Sequence, residues 1–145
     1  MNILIKSTLR NRKLSETAVR KTLGKLLMTL GLDDAEVSIL FTADRAMRTL
    51  NRTYRGKDRT TDVLSFPMRE GRGPAPVHSL LGDIVISVPV AERQSAAAGH
   101  SCRREIDVLL IHGLLHLIGY DHERSEKEAR RMEHEEDRLL RMLGT

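Results

Sequence analysis

The chain has 145 residues, 40% of them hydrophobic and 30% charged, with 3% aromatic and no tryptophan, a composition that describes one ordinary globular domain (residues 1–145) with an aliphatic core. Its lone cysteine, Cys102, excludes an intrachain disulfide, and no apolar run reaches the roughly 20 residues that cross a bilayer, so a reducing, cytoplasmic setting is expected. The formal net charge of +4 is unevenly placed: residues 41–61 hold six Lys/Arg against two Asp/Glu, which accounts for the whole excess.

Met1-Asn2-Ile3-Leu4-Ile5-Lys6 is too short for a signal-peptide core, and residues 2–7 read as a first strand. Ser15 is placed to cap a helix running to about Leu30, with Leu23, Leu26, Leu27 and Leu30 on its inner face and Gly31 as its stop. Val37 to Phe41 alternates as a second strand. Asp44 to about Arg52 reads as a helix with Ala46, Met47 and Leu50 as its apolar positions. Arg45, Arg48, Arg52 and Arg55 follow one another here at steps of three and four residues, which aligns them in one stripe on a helix. Guanidinium groups hold phosphates bidentately, so the stripe suits a phosphate backbone, although a solvated helix face gives the same pattern.

Asp62 to Phe66 reads as a third strand ended by Pro67, and residues 69–79 as a loop that leaves His78 on the surface. Gly82 to Ser87 gives a fourth strand. A helix then starts after Pro89 and ends by Gly99, and the next runs from about Arg103 to Gly119. A charged amphipathic helix from Arg124 to about Leu143 closes the chain, with His134, amid Glu133, Glu135 and Glu136, facing solvent. Together these elements predict an α+β single domain with a small mixed four-stranded sheet packed against about five helices.

The most specific signal is His112-Gly113-Leu114-Leu115-His116-Leu117-Ile118-Gly119-Tyr120-Asp121-His122. Residues four apart lie one turn above each other on a helix, so His112 and His116 can offer two nitrogens to one ion. Gly119 can take the left-handed conformation that ends a helix, letting the chain reverse and return His122 as a third ligand. Three histidines leave the fourth position of a zinc ion open, the arrangement of a catalytic site. The competing reading is three core histidines, each with its own hydrogen bond. Two imidazoles on the apolar face continuing Val108-Leu109-Leu110-Ile111 would each cost about 1–3 kcal/mol if unpaired, and a shared metal removes both costs. Cys102 has no visible activating neighbour and reads as a small buried or half-exposed residue.

The same spacing is the zinc-binding run of metzincin proteases, except that Gly113 stands where those enzymes carry the general-base glutamate. The ligands are kept while the peptidase base is missing, which points to a hydrolase acting on a different bond.

Four segments in order, Asn51-Arg52-Thr53-Tyr54-Arg55-Gly56-Lys57-Asp58, Thr61-Asp62-Val63-Leu64-Ser65-Phe66-Pro67, Leu81-Gly82-Asp83-Ile84-Val85-Ile86 and the histidine run, closely resemble the bacterial YbeY family of ribosomal-RNA maturation factors over most of residues 36–143. The resemblance implies a cytoplasmic, zinc-dependent endoribonuclease acting on single-stranded RNA in maturation of the 3′ end of 16S ribosomal RNA and in ribosome quality control. Its partners would be ribosomal RNA and the small subunit, with neither DNA nor membrane among them. By position in the motifs, His112, His116 and His122 resemble the zinc ligands for one ion per chain, and Arg55 resembles the arginine important for activity.

On this reading zinc polarises a phosphoryl oxygen and acidifies water, and Arg55 counters the charge that builds on the attacked phosphate. Arg45, Arg48, Arg52, Lys57 and Arg59 would hold the RNA backbone. Proton transfer has three candidates: Asp83, Asp121 and the substrate's 2′-hydroxyl. Asp121 has an alternative role in holding a ligand imidazole in its tautomer from behind. Two other classes remain open from sequence: a metallopeptidase that recruits its base from elsewhere, and a non-catalytic ribosome-assembly factor with a structural metal.

Overall fold

The computed structural model describes residues 1–9, 14–68 and 80–144, so the loop expected over 69–79, with His78, lies outside the described residues. In chain order the elements are β1 (Asn2–Ser7), α1 (Glu16–Thr29), β2 (Glu36–Thr42), α2 (Asp44–Arg55), β3 (Val63–Pro67), β4 (Leu80–Ser87), α3 (Val88–Ala98), α4 (Cys102–Leu117) and α5 (Glu126–Met142). The expected mixed four-stranded sheet and five helices are all present. Differences fall at the ends, where caps decide. Ser87, Ser101 and Ser125 accept hydrogen bonds from Val90 N, Arg104 N and Glu128 N, so α3 begins before Pro89, α4 at Cys102 and α5 only at Glu126. Pro89 lies in the first turn of α3, where its missing N–H has no partner to lose.

The sheet order is β1-β2-β4-β3, with β1, β2 and β4 parallel and β3 antiparallel to β4. Alternation along the strands sorts side chains onto two faces. Val37, Ile39 and Phe41 of β2 and Ile84 and Ile86 of β4 join the main core with Leu23, Leu26 and Leu27 of α1, Leu110 and Leu114 of α4, and Met132 and Leu139 of α5. The opposite face carries a smaller cluster of Val85 and Leu64 beneath Met47 of α2, with Leu40, Leu50 and Phe66 at its edge.

α2 therefore packs on one face and touches α3 at its edge, while α4 crosses β3 and β4 on the other with α3 and α5 beside it. Two sequence expectations for α2 change. The helix runs on to Arg55, and Ala46 is exposed while Asn51 is buried. The Asn51 amide donates to the Arg59 carbonyl at 2.9 Å, tying the segment after α2 back onto the helix.

Candidate metal centre

α4 delivers the first two histidines. Its inner face is continuously apolar, and Ile106, Leu109, Leu110, Ile111, Leu114 and Leu115 are all buried, which fixes the rotation of the helix. His112 and His116 stand half-buried at the margin of that face. The helix ends at Leu117, two residues short of the expected Gly119, because the chain closes it with paired hydrogen bonds: Gly119 N to His116 O at 3.1 Å and Tyr120 N to Leu115 O at 3.0 Å. Gly119 has φ 108°, a conformation that glycine alone adopts freely. The reversal brings His122 back beside the helix. Ring centroids are 4.8 Å apart for His112 and His116, 5.5 Å for His112 and His122, and 5.2 Å for His116 and His122.

One nitrogen from each imidazole lies within 4.8 Å of the others, and among the described residues no fourth His, Cys, Asp or Glu side chain joins the group. These three imidazoles form a cluster that can hold a metal ion. Burial lowers the pKa of His116, and the neighbouring His112 and His122 lower it further, against smaller opposing effects of Asp121 and Glu136. The environment thus favours the unprotonated imidazole that a metal requires. Cys102 lies at the opposite end of α4 from the histidines, partly buried and packed against the core.

Gly113 has a physical reason that spacing alone does not reveal. A Cβ at this position would lie 2.8 Å from Ile84 Cγ2 and within 3.3 Å of two further atoms of that fully buried side chain. The position faces β4 and not the cleft, so a glutamate there would drive into the sheet instead of reaching a substrate. The Gly113 carbonyl also accepts from Ser65 Oγ at 3.2 Å, a second tie between α4 and the sheet. Gly113→Ala should be destabilising: overpacking costs about 1–3 kcal/mol, against which the gain in helix propensity is about 1 kcal/mol. A denaturant midpoint at or above that of the parent would show instead that Ile84 yields freely.

The cleft over the histidines is lined by Arg55 from the end of α2, by Thr61 to Ser65 leading into and along β3, and by Gly119 to Arg124. Gly56, at φ 68°, stops α2 immediately after Arg55 and turns the chain away. The Arg55 guanidinium lies 3.8 Å from Glu123 Oε1, which in turn is 4.0 Å from His122 Nε2. Sequence reasoning passed over Glu123; adjacency to His122 was the available signal.

The other cations of α2 are less free than a bare stripe. Arg48 donates twice to Asp58, at 2.9 and 3.1 Å, and Arg52 lies 3.8 Å from the same carboxylate. These bonds hold the Asp58 carboxyl below its usual pKa, with the Arg48 hydrogen bond as the largest cause. Arg45, Lys57 and Arg59 are exposed.

The two candidate carboxylates part company. Asp121 lines the cleft, and its oxygens accept from Glu123 N at 2.9 Å and Arg124 Nε at 3.3 Å. Asp83 alternates with Ile84, so it stands on the sheet face opposite α4, exposed and away from the histidines. As a proton carrier for this cleft Asp83 is excluded by the strand's pleat. His134 is exposed, as its acidic neighbours suggested.

The family described as Endoribonuclease YbeY matches residues 4–144. The chain belongs to this family. The Endoribonuclease YbeY of Persephonella marina is 48% identical over 130 residues, covering 90% of this chain and 84% of the relative. That of Aquifex aeolicus is 43% identical over 142 residues, covering 98% and 91%. Among solved structures, the solution structure of TM1509 from Thermotoga maritima is similar, with a TM-score of 0.68 at 27% identity, covering 95% of this chain and 86% of that one. The cleft joins an imidazole cluster to an arginine, and no helix among the described residues is long and apolar enough to cross a membrane.

Proposed function

We propose that residues 1–145 act as one zinc-dependent endoribonuclease domain that cleaves single-stranded RNA, in the cytoplasm, in maturation of the 3′ end of 16S ribosomal RNA and in ribosome quality control. The observation that carries this reading is that Arg55 and the three histidines, from distant parts of the chain, line one cleft. His112, His116 and His122 would hold one zinc ion. When bound, zinc supplies Lewis acidity that polarises a phosphoryl oxygen and acidifies water. Arg55 provides a planar fork for the phosphate, and binding RNA exchanges its Glu123 partner for a phosphate oxygen. Asp121 or the substrate's own 2′-hydroxyl carries the proton. Gly113 turned against Ile84 counts against a peptidase with its base at that position, and the absence of a fourth protein ligand among the described residues counts against a closed structural metal.

The direct test is cleavage of a single-stranded RNA, a duplex RNA and casein, each with zinc and with chelator. Cleavage confined to the single strand, lost on chelation and restored by zinc, supports the reading; casein cleavage or chelator-insensitive RNA cleavage overturns it.

Arg45, Arg48, Arg52, Lys57 and Arg59 hold the RNA backbone in this reading, with little base preference because binding to phosphates positions a strand without reading its sequence. Asp58 competes for two of them. Replacing Arg48 and Arg52 together by alanine should flatten the dependence of log affinity on log salt by about one unit for each phosphate no longer neutralised. Asp58→Asn should tighten binding. An unchanged slope would return the stripe to ordinary solvated surface.

A further inference from the structure

The C-terminal helix brings a carboxylate to the histidine cluster from behind. Glu136 Oε2 lies 3.4 Å from His112 Nδ1, and the two side chains are similarly shielded, at 27% and 28% exposure. Met132 and Leu139, one turn to either side on α5, are fully buried, so Glu136 sits on the inner face of the helix between two core residues. Among the described residues its hydrogen-bond partner is His112. The acids that line the cleft are occupied differently: Asp62 accepts from Val63 N at 2.8 Å, Asp121 accepts from Glu123 N and Arg124, and Glu123, more exposed, lies near Arg55.

We propose that Glu136 is a positioning residue of the metal centre, accepting a hydrogen bond from Nδ1–H of His112. An unconstrained neutral imidazole exchanges between two tautomers, and only one leaves the lone pair on Nε2. Glu136 selects that tautomer and sets the ring plane, so that Nε2 is the nitrogen offered to the ion. Partners of this kind are worth about 10- to 100-fold in metal affinity. The inference rests on the reading of His112, His116 and His122 as ligands, and it makes α5 a working part of the site.

The test is zinc affinity of the full chain, measured by competition with a chromophoric chelator, for the parent, Glu136→Ala, Glu136→Leu, Glu136→Gln and the control Glu133→Ala on the exposed side of the same helix. Melting of each variant in excess chelator accompanies it. Glu136→Ala and Glu136→Leu should weaken zinc binding about 10- to 100-fold. Glu136→Gln, whose amide oxygen still accepts, should recover most of the loss, and Glu133→Ala should match the parent. Leucine keeps the packing between Met132 and Leu139, so its loss of affinity with an unchanged melting temperature in chelator separates positioning from folding. Affinity of both the alanine and leucine variants within about twofold of the parent overturns the role of Glu136 while leaving the metal site standing. A parent that takes up no zinc overturns the site reading itself.

Discussion

Replacing His116 by alanine is expected to abolish stoichiometric zinc binding and RNA cleavage together. Burial and its two imidazole neighbours lower the pKa of His116, which favours the unprotonated form that a metal requires. Without it, the remaining donors are His112, held from α5, and His122 on the exposed turn after α4, and two donors do not retain an ion against a chelator. The expected loss of affinity exceeds 100-fold, above the roughly 10- to 100-fold typical of an orienting partner. Stability provides an independent readout. A ligand present at about 1,000 times its dissociation constant stabilises the native state by about 4 kcal/mol, so the parent should melt higher with zinc than with chelator. His116→Ala should melt alike in both, near the parent in chelator. Full zinc occupancy in the purified variant, or in a His112→Ala, His116→Ala double variant, would falsify the site.

The second large effect concerns the chemical step. Arg55→Ala is expected to retain zinc and fold, to bind RNA modestly more weakly and to cleave about 100- to 1,000-fold more slowly, the usual cost of removing one donor aimed at developing charge. The residue is exposed at the end of α2, so its removal is expected to leave the fold intact. Its guanidinium borders the cleft over the histidines and lies 3.8 Å from Glu123. Arg55→Lys should recover little, because a point charge does not reproduce a bidentate fork. Single-turnover cleavage of a single-stranded RNA at saturating enzyme, beside zinc content and melting temperature, measures the effect. A parental rate at saturation would confine Arg55 to binding and move the catalytic charge to the ion or to Lys57 or Arg59.

What was legible in the sequence is what short-range periodicity encodes. The i, i+4 pair His112 and His116, Gly119 as the reversal point and His122 as the returning residue follow from helix geometry and from the freedom of one glycine, and the cluster has that form. Arg55 was legible as the last member of the arginine stripe, whereas the extension of α2 to it and the stop at Gly56 emerged only in the folded chain. Alternation gave the strands, and the serine caps, read from sequence only for α1, shift the starts of α3, α4 and α5 by a residue or two.

Contacts between residues distant in the chain were beyond that reading, because they depend on which faces the folded layers turn toward each other. Strand order β1-β2-β4-β3 puts Asp83 on the α2 side of the sheet and Ile84 beneath Gly113, so one strand's pleat both removes a candidate proton carrier and explains a glycine. Asp58 folds back to occupy Arg48 and Arg52, which turns an apparently free stripe into a paired one. Glu136 reads in the sequence as one of several acids on an amphipathic helix, and only the packing of α5 beside α4 brings it to His112. The sequence by itself determined the three histidines and the turn that gathers them, since a helix repeat and a left-handed glycine act within a few residues; the tertiary structure decided which charged groups face them, since that depends on the burial of apolar surfaces far apart in the chain.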